Sequence, residues 1–294
     1  MAESKLRELS MEFSVDIINL VKFLKANHES VIAKQIGRSG TSIGANIHEA
    51  QYAQGGEVEK RGALMKIMSF NTQHCLNFIT GEIDFDVMAE AIKSVDADIV
   101  GLNEMRGESD APEYTEQVKK LAELTGMPYY YFAPAINRRG PYGNGFLSRI
   151  PIVNAENIPI PDPNPRRFET RYETRCILKA ELEGGITVLV SHFGLNEDEK
   201  ENAVATVLRH ICDQKCILMG DFNLRPENAL LDPIRARLRD TAEVFDGEKL
   251  SHPSDNPDKK IDYIFVSRDL AVVDADILPI VASDHRPHTA TVTV

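Results

Sequence analysis

The spacing of hydrophobic residues changes near residue 65 and divides the chain into two segments. Between residues 5 and 26, apolar side chains recur every three or four positions, which predicts one face of an amphipathic helix. These positions are Leu6, Leu9, Phe13, Ile17, Leu20 and Leu24. A second helical stretch begins after Ser30, a candidate N-cap, and ends before Gly55 and Gly56. We therefore predict a helical hairpin over residues 1–56 and a linker over 57–64.

From residue 65 to residue 294, short apolar runs alternate with amphipathic stretches, which predicts a domain of the α/β class. Helices are predicted at 84–95, 113–126, 197–211 and 227–237. Strands are predicted at 65–72, 98–104, 129–133, 144–149, 174–182, 186–192, 215–219, 261–267, 271–278 and 287–294. The proline-rich segment 158–171 predicts a loop.

Composition narrows the classes of protein that the chain can belong to. The chain has 294 residues and a formal net charge of -12. The first 64 residues carry equal numbers of basic and acidic side chains, so the acidic excess lies in the second segment. This acidity argues mildly against a general nucleic-acid-binding surface, because such surfaces neutralise phosphates with Lys and Arg. No apolar run is long enough for a transmembrane helix or a secretory signal, and we expect a cytoplasmic protein.

Polar residues that can perform chemistry follow or precede the predicted strands of the second segment. They are Asn71, Glu104, His192, Asp221, Asn223, Asp262, Asp284 and His285. Because strand ends meet at one edge of a sheet layer, these side chains can share a pocket although they are far apart in the sequence.

Three of these residues are predicted to hold a cation. Mg²⁺ prefers oxygen ligands, usually one or two carboxylates together with water and phosphate oxygens. Glu104 is the predicted anchor, with help from Asn71, and Asp284 is a further predicted ligand. Asp221 is an additional candidate ligand. The predicted cofactor is therefore Mg²⁺, or the similar Mn²⁺.

The remaining residues have the chemistry that phosphoester hydrolysis requires. Asp221 is the candidate for orienting or deprotonating a water molecule, and the Asn223 amide can donate to a phosphoryl oxygen. Asp262 is predicted to pair with His285 and to fix its tautomer. His192 is predicted to stabilise the transition state or to protonate the leaving group.

The motifs around these residues resemble the endonuclease/exonuclease/phosphatase superfamily. They are SFN (69–71), LNE (102–104), GNGFLSR (143–149), SHFGL (191–195), GDFN (220–223), KIDYIFVS (260–267) and SDHRP (283–287). The seven motifs occur in the family's order and span residues 65–294. The resemblance implies a two-sheet α/β sandwich flanked by helices, dependence on Mg²⁺ or Mn²⁺, and cleavage of phosphodiesters or phosphomonoesters.

The resemblance also points to residues that bind the substrate. Arg175 matches an arginine at the family's pocket rim and Asn144 matches a pocket asparagine. Two positions depart from the pattern: Asn103 replaces a common glutamine, and the histidine of SHFGL replaces the aspartate of abasic-site endonucleases. A small or lipid-derived phosphorylated substrate is slightly favoured over DNA or RNA, and a nuclease remains the alternative.

The run IGRSGTSIGANIHEA (36–50) resembles the second helix of small four-helix-bundle proteins related to ribosomal intervening-sequence products. Only half of that family's length is present, and two helices cannot close a four-helix core alone. A homodimer that pairs two hairpins is therefore one hypothesis. A protein in which the hairpin binds or assembles, with a passenger phosphoesterase domain, is an alternative of a different class.

Overall fold

The fold is that of a computed structural model, which describes residues 63–109, 115–137 and 140–294. The predicted hairpin (1–56) and most of the predicted linker (57–64) lie outside the described residues. The described part begins where the predicted catalytic domain begins.

Twelve strands form two six-stranded sheets in the described part of the chain. The strands are β1 (Leu64–Asn71), β2 (Ile99–Arg106), β3 (Tyr129–Asn137), β4 (Pro141–Ser148), β5 (Ile152–Pro159), β6 (Cys176–Leu182), β7 (Ile186–Ser191), β8 (Cys216–Asp221), β9 (Leu238–Asp240), β10 (Asp262–Ser267), β11 (Ala271–Ile277) and β12 (His288–Thr293). The first sheet has the order β11-β12-β1-β2-β4-β3, and the second has the order β5-β6-β7-β8-β10-β9.

Each sheet contains one parallel pair, and these pairs position the candidate site. Strands β1 and β2 run parallel in the first sheet, and β7 and β8 run parallel in the second. The other pairings in both sheets are antiparallel. The two members of a parallel pair end at the same edge of their sheet.

Helices cover the outer faces of the two sheets. They are α1 (Phe85–Val95), α2 (Gln117–Thr125), α3 (Glu197–His210) and α4 (Asp232–Arg237). The Asp84 carboxylate caps α1 by accepting a hydrogen bond from Val87 N at 3.1 Å. Gly126 ends α2 in the left-handed conformation, at φ 72°.

Alternate residues of the central strands pack in different layers. In β1, Ile67 belongs to the core between the two sheets, whereas Met68 and Phe70 pack beneath α1 and α2. In β8, Ile217 faces the inner core and Leu218 packs with α3. Both faces of these strands are buried, so the described domain is layered as helix, sheet, sheet and helix. The predicted α/β sandwich flanked by helices is confirmed.

Some element boundaries differ from the sequence predictions. Strand β5 was not expected, because it is an edge strand in which exposed polar residues interrupt the apolar pattern. It also extends two residues into the predicted loop 158–171. The predicted helix 227–237 is instead a short 3-10 turn, 229–231, followed by α4, which carries Pro233 in its first turn. The three-residue strand β9 follows α4 directly and was also missed.

No helix within the described ranges has the length and apolarity needed to cross a membrane.

Candidate active site

The ends of the two parallel strand pairs bring the predicted polar residues together. Asn71 ends β1, Glu104 lies near the end of β2, and Asp221 ends β8. His192 follows the last residue of β7. Asp262, the first residue of β10, lies opposite Asp221 in the antiparallel register of β8 and β10. The topology of the two sheets thus brings these strand ends together, as expected, and the polar residues at them lie at one place.

The backbone around this place adopts left-handed conformations that side chains other than glycine seldom take. Glu104 has φ 64° and lies where the register of β2 and β4 shifts, and Asn223 has φ 52°. Three consecutive residues after Asn71, Gln73–Cys75, also have positive φ. Such conformations persist where the surrounding structure enforces them, and they concentrate at functional sites.

Asp221 lies at the centre of the cluster and is buried. Its Oδ2 accepts a hydrogen bond from Asn71 Nδ2 at 3.1 Å and lies 3.5 Å from His192 Nε2 and 3.6 Å from His285 Nε2. Its Oδ1 accepts a hydrogen bond from Asn223 N at 2.9 Å. Four predicted residues thus converge on the Asp221 carboxylate, and three of them, Asn71, His192 and His285, come from other motifs.

The surroundings of Asp221 change its acidity. Burial, together with the charges of Asp262 and Glu104, raises the pKa of Asp221 to about 7, although the positive charge of His285 and the hydrogen bond from Asn223 N oppose the rise. A carboxylate with a pKa near neutrality can both accept and release a proton under ordinary conditions.

His285 and Asp262 form a buried ion pair. His285 Nδ1 lies 2.8 Å from Asp262 Oδ2. Burial lowers the pKa of His285, but the carboxylates of Asp262 and Asp221 outweigh this effect and raise it to about 10. The imidazole is therefore a cation at neutral pH, held by Asp262 with its Nε2 directed towards Asp221. This is the pairing expected from the sequence.

His192 is neutral, in contrast to His285. Burial lowers the pKa of His192 well below its usual value, and the charges of Arg175 and His285 lower it further. Asn223 Nδ2 lies 3.2 Å from His192 Nε2 and donates to the Phe193 carbonyl oxygen at 3.2 Å. The site thus contains one charged and one neutral imidazole, and the Nε2 atoms of both lie near Asp221 Oδ2.

Two of the residues predicted to hold a cation, Glu104 and Asp284, lie near enough for their charges to interact. Burial raises the pKa of Glu104, and the nearby charge of Asp284 raises it further. Asp262 Oδ1 is also buried and has no hydrogen-bond partner. Buried carboxylates that repel one another are stabilised by a divalent cation, and oxygen donors are the ligands that Mg²⁺ and Mn²⁺ prefer. The donor set therefore fits such an ion.

Asn71 contributes to this group through its amide nitrogen. Nδ2 donates to Glu104 Oε1 and to Asp221 Oδ2, at 3.1 Å in each case. Its Oδ1 accepts a hydrogen bond from Gln73 N at 3.0 Å. In this arrangement Asn71 orients the two carboxylates, and its oxygen does not face the acidic group.

Arg175 is buried near enough to Glu104 for its charge to act on that carboxylate. Its Nη2 lies 2.7 Å from Glu173 Oε2, and its Nη1 donates to the Tyr142 hydroxyl at 3.3 Å. Arg175 Nε is buried and has no hydrogen-bond partner. Its charge acts on both Glu104 and His192. The predicted substrate-binding arginine thus borders the site.

Asn144 was expected to contact the substrate, but its side-chain amide is hydrogen-bonded inside the sandwich. Its Nδ2 donates to the Cys176 carbonyl oxygen at 2.9 Å, and its Oδ1 accepts from Asn103 Nδ2 at 2.8 Å. Both ends of this buried amide are occupied inside the sandwich, so the geometry does not support contact with a substrate. Asn144 instead links a strand of one sheet to a strand of the other.

Asn103 is the residue whose importance sequence reasoning missed. Its Oδ1 accepts a hydrogen bond from Asp221 N at 2.9 Å, and its Nδ2 donates to Asn144 and to the Ser191 carbonyl oxygen. It thereby fixes the end of β8 against β2 and β7. The LNE motif drew attention to this position, but only as a departure from a family pattern.

Comparisons with known proteins identify the family and the fold of this chain. A family model described as the endonuclease/exonuclease/phosphatase family matches residues 68–285. This range does not include the predicted hairpin.

Among curated proteins, the uncharacterized protein YbhP of Escherichia coli strain K12 is 25% identical over 171 residues, which cover 54% of this chain. The match spans 66% of YbhP, just under two thirds of its length.

Solved structures show the same fold. The endonuclease/exonuclease/phosphatase from Beutenbergia cavernae superposes with a TM-score of 0.65 and 21% identity, covering 80% of this chain and 72% of that one. A mannosyl-6-phosphatase from Bacteroides thetaiotaomicron superposes with a TM-score of 0.60 and 17% identity, covering 78% of this chain and 100% of the other. With the family model matched over most of the described residues, the chain belongs to the endonuclease/exonuclease/phosphatase family.

Proposed function

We propose that the chain is a divalent-metal-dependent phosphoester hydrolase in which Asp221 activates the attacking water. The observation that carries this proposal is the environment of Asp221. Its carboxylate is buried, has a pKa raised to about 7, and has a cationic and a neutral imidazole within 3.6 Å of Oδ2. A carboxylate in this state can take a proton from water as water attacks phosphorus.

The acidic side of the site would hold the cation through Glu104 and Asp284. When bound, Mg²⁺ or Mn²⁺ would polarise the phosphoryl group and offset its developing negative charge. Asn71 keeps Glu104 and Asp221 in fixed relative positions through its two hydrogen bonds. This restraint supports a reactive geometry that is set before the substrate arrives.

The other side of the site would bind the phosphoryl oxygens. The cationic His285 offers Nε2–H as a donor, while Nδ1 is engaged with Asp262. The Asn223 amide offers a second donor from a position beside His192. Donors that are already in place stabilise charge as it forms, because they need not reorganise.

His192 and Arg175 complete the proposed roles. His192 is neutral and can hydrogen-bond the leaving oxygen or the water, and Arg175 supplies a fixed positive charge at the rim. Arginine suits phosphate because its planar guanidinium can donate two parallel hydrogen bonds.

A small or lipid-derived phosphoester is the proposed substrate class. The acidic composition of the catalytic domain supports this choice, because a duplex carries its own dense negative charge. One solved relative of the same fold is a mannosyl-6-phosphatase, which is a precedent for a small phosphorylated substrate within the family.

The test compares bis-p-nitrophenyl phosphate and supercoiled plasmid DNA as substrates, each with Mg²⁺, Mn²⁺ or EDTA. The variants are Asp221→Ala and, as a matched control, Asp246→Ala, which removes an exposed carboxylate. We expect metal-dependent hydrolysis of the small diester, abolished in Asp221→Ala only. Preferential cleavage of the plasmid would favour a nuclease, and no turnover of either substrate would favour the binding or assembly alternative.

A further inference from the structure

The segment before β10, Ser251–Ser254, is bound tightly to the loop that carries Asp284 and His285. Ser254 N donates to the Asp284 carbonyl oxygen at 2.8 Å, and Ser254 Oγ donates to the Ser283 carbonyl oxygen at 2.5 Å. Arg286 N donates to the Ser251 carbonyl oxygen at 2.7 Å. These bonds hold the side chain of His252 beside the two site residues.

His252 therefore lies at the site although no motif identified it. Its Nε2 is 3.8 Å from Asp284 Oδ2, and its ring meets that of His285 edge-on, with the centroids 4.6 Å apart. The side chains of His252 and Asp284 are 24% and 20% exposed, so both can meet a ligand from solvent.

The distance between His252 Nε2 and Asp284 Oδ2 suits two ligands of one cation better than a hydrogen bond. N–H···O bonds fall at about 2.7–3.2 Å, so 3.8 Å is too long. Ligand atoms lie about 2.0–2.2 Å from Mn²⁺-sized or Zn²⁺-sized ions, and two of them on one ion are therefore roughly 3–4 Å apart.

The remaining contacts leave these two atoms available. Asp284 Oδ1 accepts a hydrogen bond from Ser283 Oγ at 3.0 Å, so Oδ2 is the oxygen that faces the imidazole. His252 Nδ1 is buried without a hydrogen-bond partner, which leaves Nε2 as the nitrogen that can reach a ligand. The ligand atoms of His252, Asp284 and His285 lie within 4.8 Å of one another.

We propose that His252 contributes an imidazole nitrogen to the cation position at Asp284, and that this nitrogen makes the site prefer Mn²⁺, Co²⁺ or Zn²⁺ to Mg²⁺. Imidazole suits Zn²⁺ and the later transition metals, and Mn²⁺ accepts it beside the oxygen ligands that it otherwise shares with Mg²⁺, whereas Mg²⁺ selects oxygen ligands. His285 keeps its ion pair with Asp262 in this arrangement. The proposal rests on the cation site of the proposed function and adds its metal selectivity.

Calorimetric titration of the EDTA-stripped full-length protein with Mn²⁺ and with Mg²⁺, in the absence of substrate, tests this selectivity. The variant is His252→Asn, which exchanges the imidazole nitrogen for an amide that can offer oxygen. The matched control is His210→Asn at the end of α3. Thermal unfolding in EDTA checks that each variant is folded, and His252→Ala provides a second variant.

We expect the wild type to bind Mn²⁺ more tightly than Mg²⁺. His252→Asn should weaken Mn²⁺ binding about tenfold or more while changing Mg²⁺ binding less than about twofold, and His210→Asn should change neither. Equal weakening for both ions, no change for either, or no Mn²⁺ binding by the wild type would overturn the proposal.

The titration measures metal binding without catalytic turnover. A negative result would therefore count against the metal selectivity and not against the proposed hydrolase function. Hydrolysis that proceeds while His252→Asn leaves Mn²⁺ binding unchanged would refute only the metal selectivity. Mn²⁺ binding through His252 in a protein that hydrolyses no phosphoester would refute only the hydrolase.

Discussion

His285 Nδ1 lies 2.8 Å from Asp262 Oδ2, and both side chains are buried. The two residues come from different motifs, 23 positions apart, and meet because the loop before β12 crosses the start of β10. Asp262 and Asp221 keep His285 protonated despite its burial, so the site has a positive donor opposite its acidic side.

Asp262→Asn should remove much of that positive charge. Without the carboxylate, the pKa of His285 falls towards its ordinary range, and the imidazole no longer donates from both nitrogens at neutral pH. We expect kcat for bis-p-nitrophenyl phosphate to fall about 100-fold or more, which is the usual size of a lost acid–base or donor contribution. Steady-state kinetics at saturating Mn²⁺ measures this effect.

The control for Asp262→Asn is Asp232→Asn, which makes the same chemical change at an exposed position of α4. A kcat for Asp262→Asn within about threefold of the control would show that the ion pair does not contribute to the reaction.

Glu104→Gln should abolish the stabilisation of the protein by divalent metal. Glu104 is half-buried near Asp284, and the two carboxylates repel each other in the metal-free wild type. Without metal, the variant should unfold at the same or a higher temperature than the wild type. Adding Mn²⁺ should raise the unfolding temperature of the wild type but not that of Glu104→Gln, because a ligand that binds only the native state stabilises it.

Thermal unfolding with Mn²⁺ and with EDTA measures this difference, and Glu248→Gln is the exposed control. An equal rise in the unfolding temperature of the wild type and of Glu104→Gln would remove Glu104 from the cation site.

Asn103→Ala should lower both stability and activity. The substitution leaves Asp221 N, the Asn144 amide and the Ser191 carbonyl oxygen without their buried partner. Loss of buried hydrogen bonds costs about 1–3 kcal/mol for each group left unsatisfied. Urea unfolding should show a loss in this range, and kcat should fall because Asp221 is no longer fixed.

Asn103→Gln is a useful second variant, because glutamine is common at this position in the family. It should recover more activity than Asn103→Ala. A stable Asn103→Ala with unchanged kcat would contradict the bridging role that the contacts indicate.

Lys260, which is not one of the proposed cation ligands, allows the pH dependence of the free energy of unfolding to be tested. Burial lowers the pKa of Lys260 to about 8, although Asp240 and Asp262 oppose the shift. Its Nζ has no hydrogen-bond partner and lies 3.3 Å from the centre of the Tyr263 ring. The native state therefore releases this proton near pH 8, whereas the unfolded chain holds it until about pH 10.4.

The contribution of Lys260 to the free energy of unfolding should consequently rise with pH between about 8 and 10.4, because the unfolded chain still binds this proton there. His285, whose pKa is raised to about 10, contributes with the opposite sign, so the wild type is compared with Lys260→Met at each pH. Lys260→Met should stabilise the protein most at neutral pH, by up to roughly 3 kcal/mol, and much less at about pH 10. Urea unfolding at pH 7 and pH 10, with Lys200→Met as control, measures the difference. Equal stabilisation by Lys260→Met at both pH values, or none at pH 7, would contradict the assignment.

The sequence predicted the central strands and their terminal polar residues for a simple reason. A buried strand is an apolar run, and a polar residue directly after it stands out, as Asn71, Asp221 and His192 do. Edge strand β5 lacks such a run, since most of its side chains are exposed, and it was missed.

The parts of the site that could not be predicted depend on tertiary contacts. The family resemblance predicts that Asn144 lies in the pocket, but its side-chain amide is hydrogen-bonded to Asn103 and to the Cys176 carbonyl oxygen. His252 lies in a loop with no helical or strand periodicity, and only its bonds to the Ser283–Arg286 segment bring it to the site. Local sequence patterns contain no signal for either contact.

The most direct test of the central claim is kcat for bis-p-nitrophenyl phosphate at saturating Mn²⁺ in wild type, Asp221→Asn and Asp246→Asn. Asp221→Asn keeps the shape of the side chain and removes its ability to take a proton. We predict a loss of about 100-fold or more in Asp221→Asn and no change in Asp246→Asn. Turnover by Asp221→Asn at the wild-type rate would contradict the account.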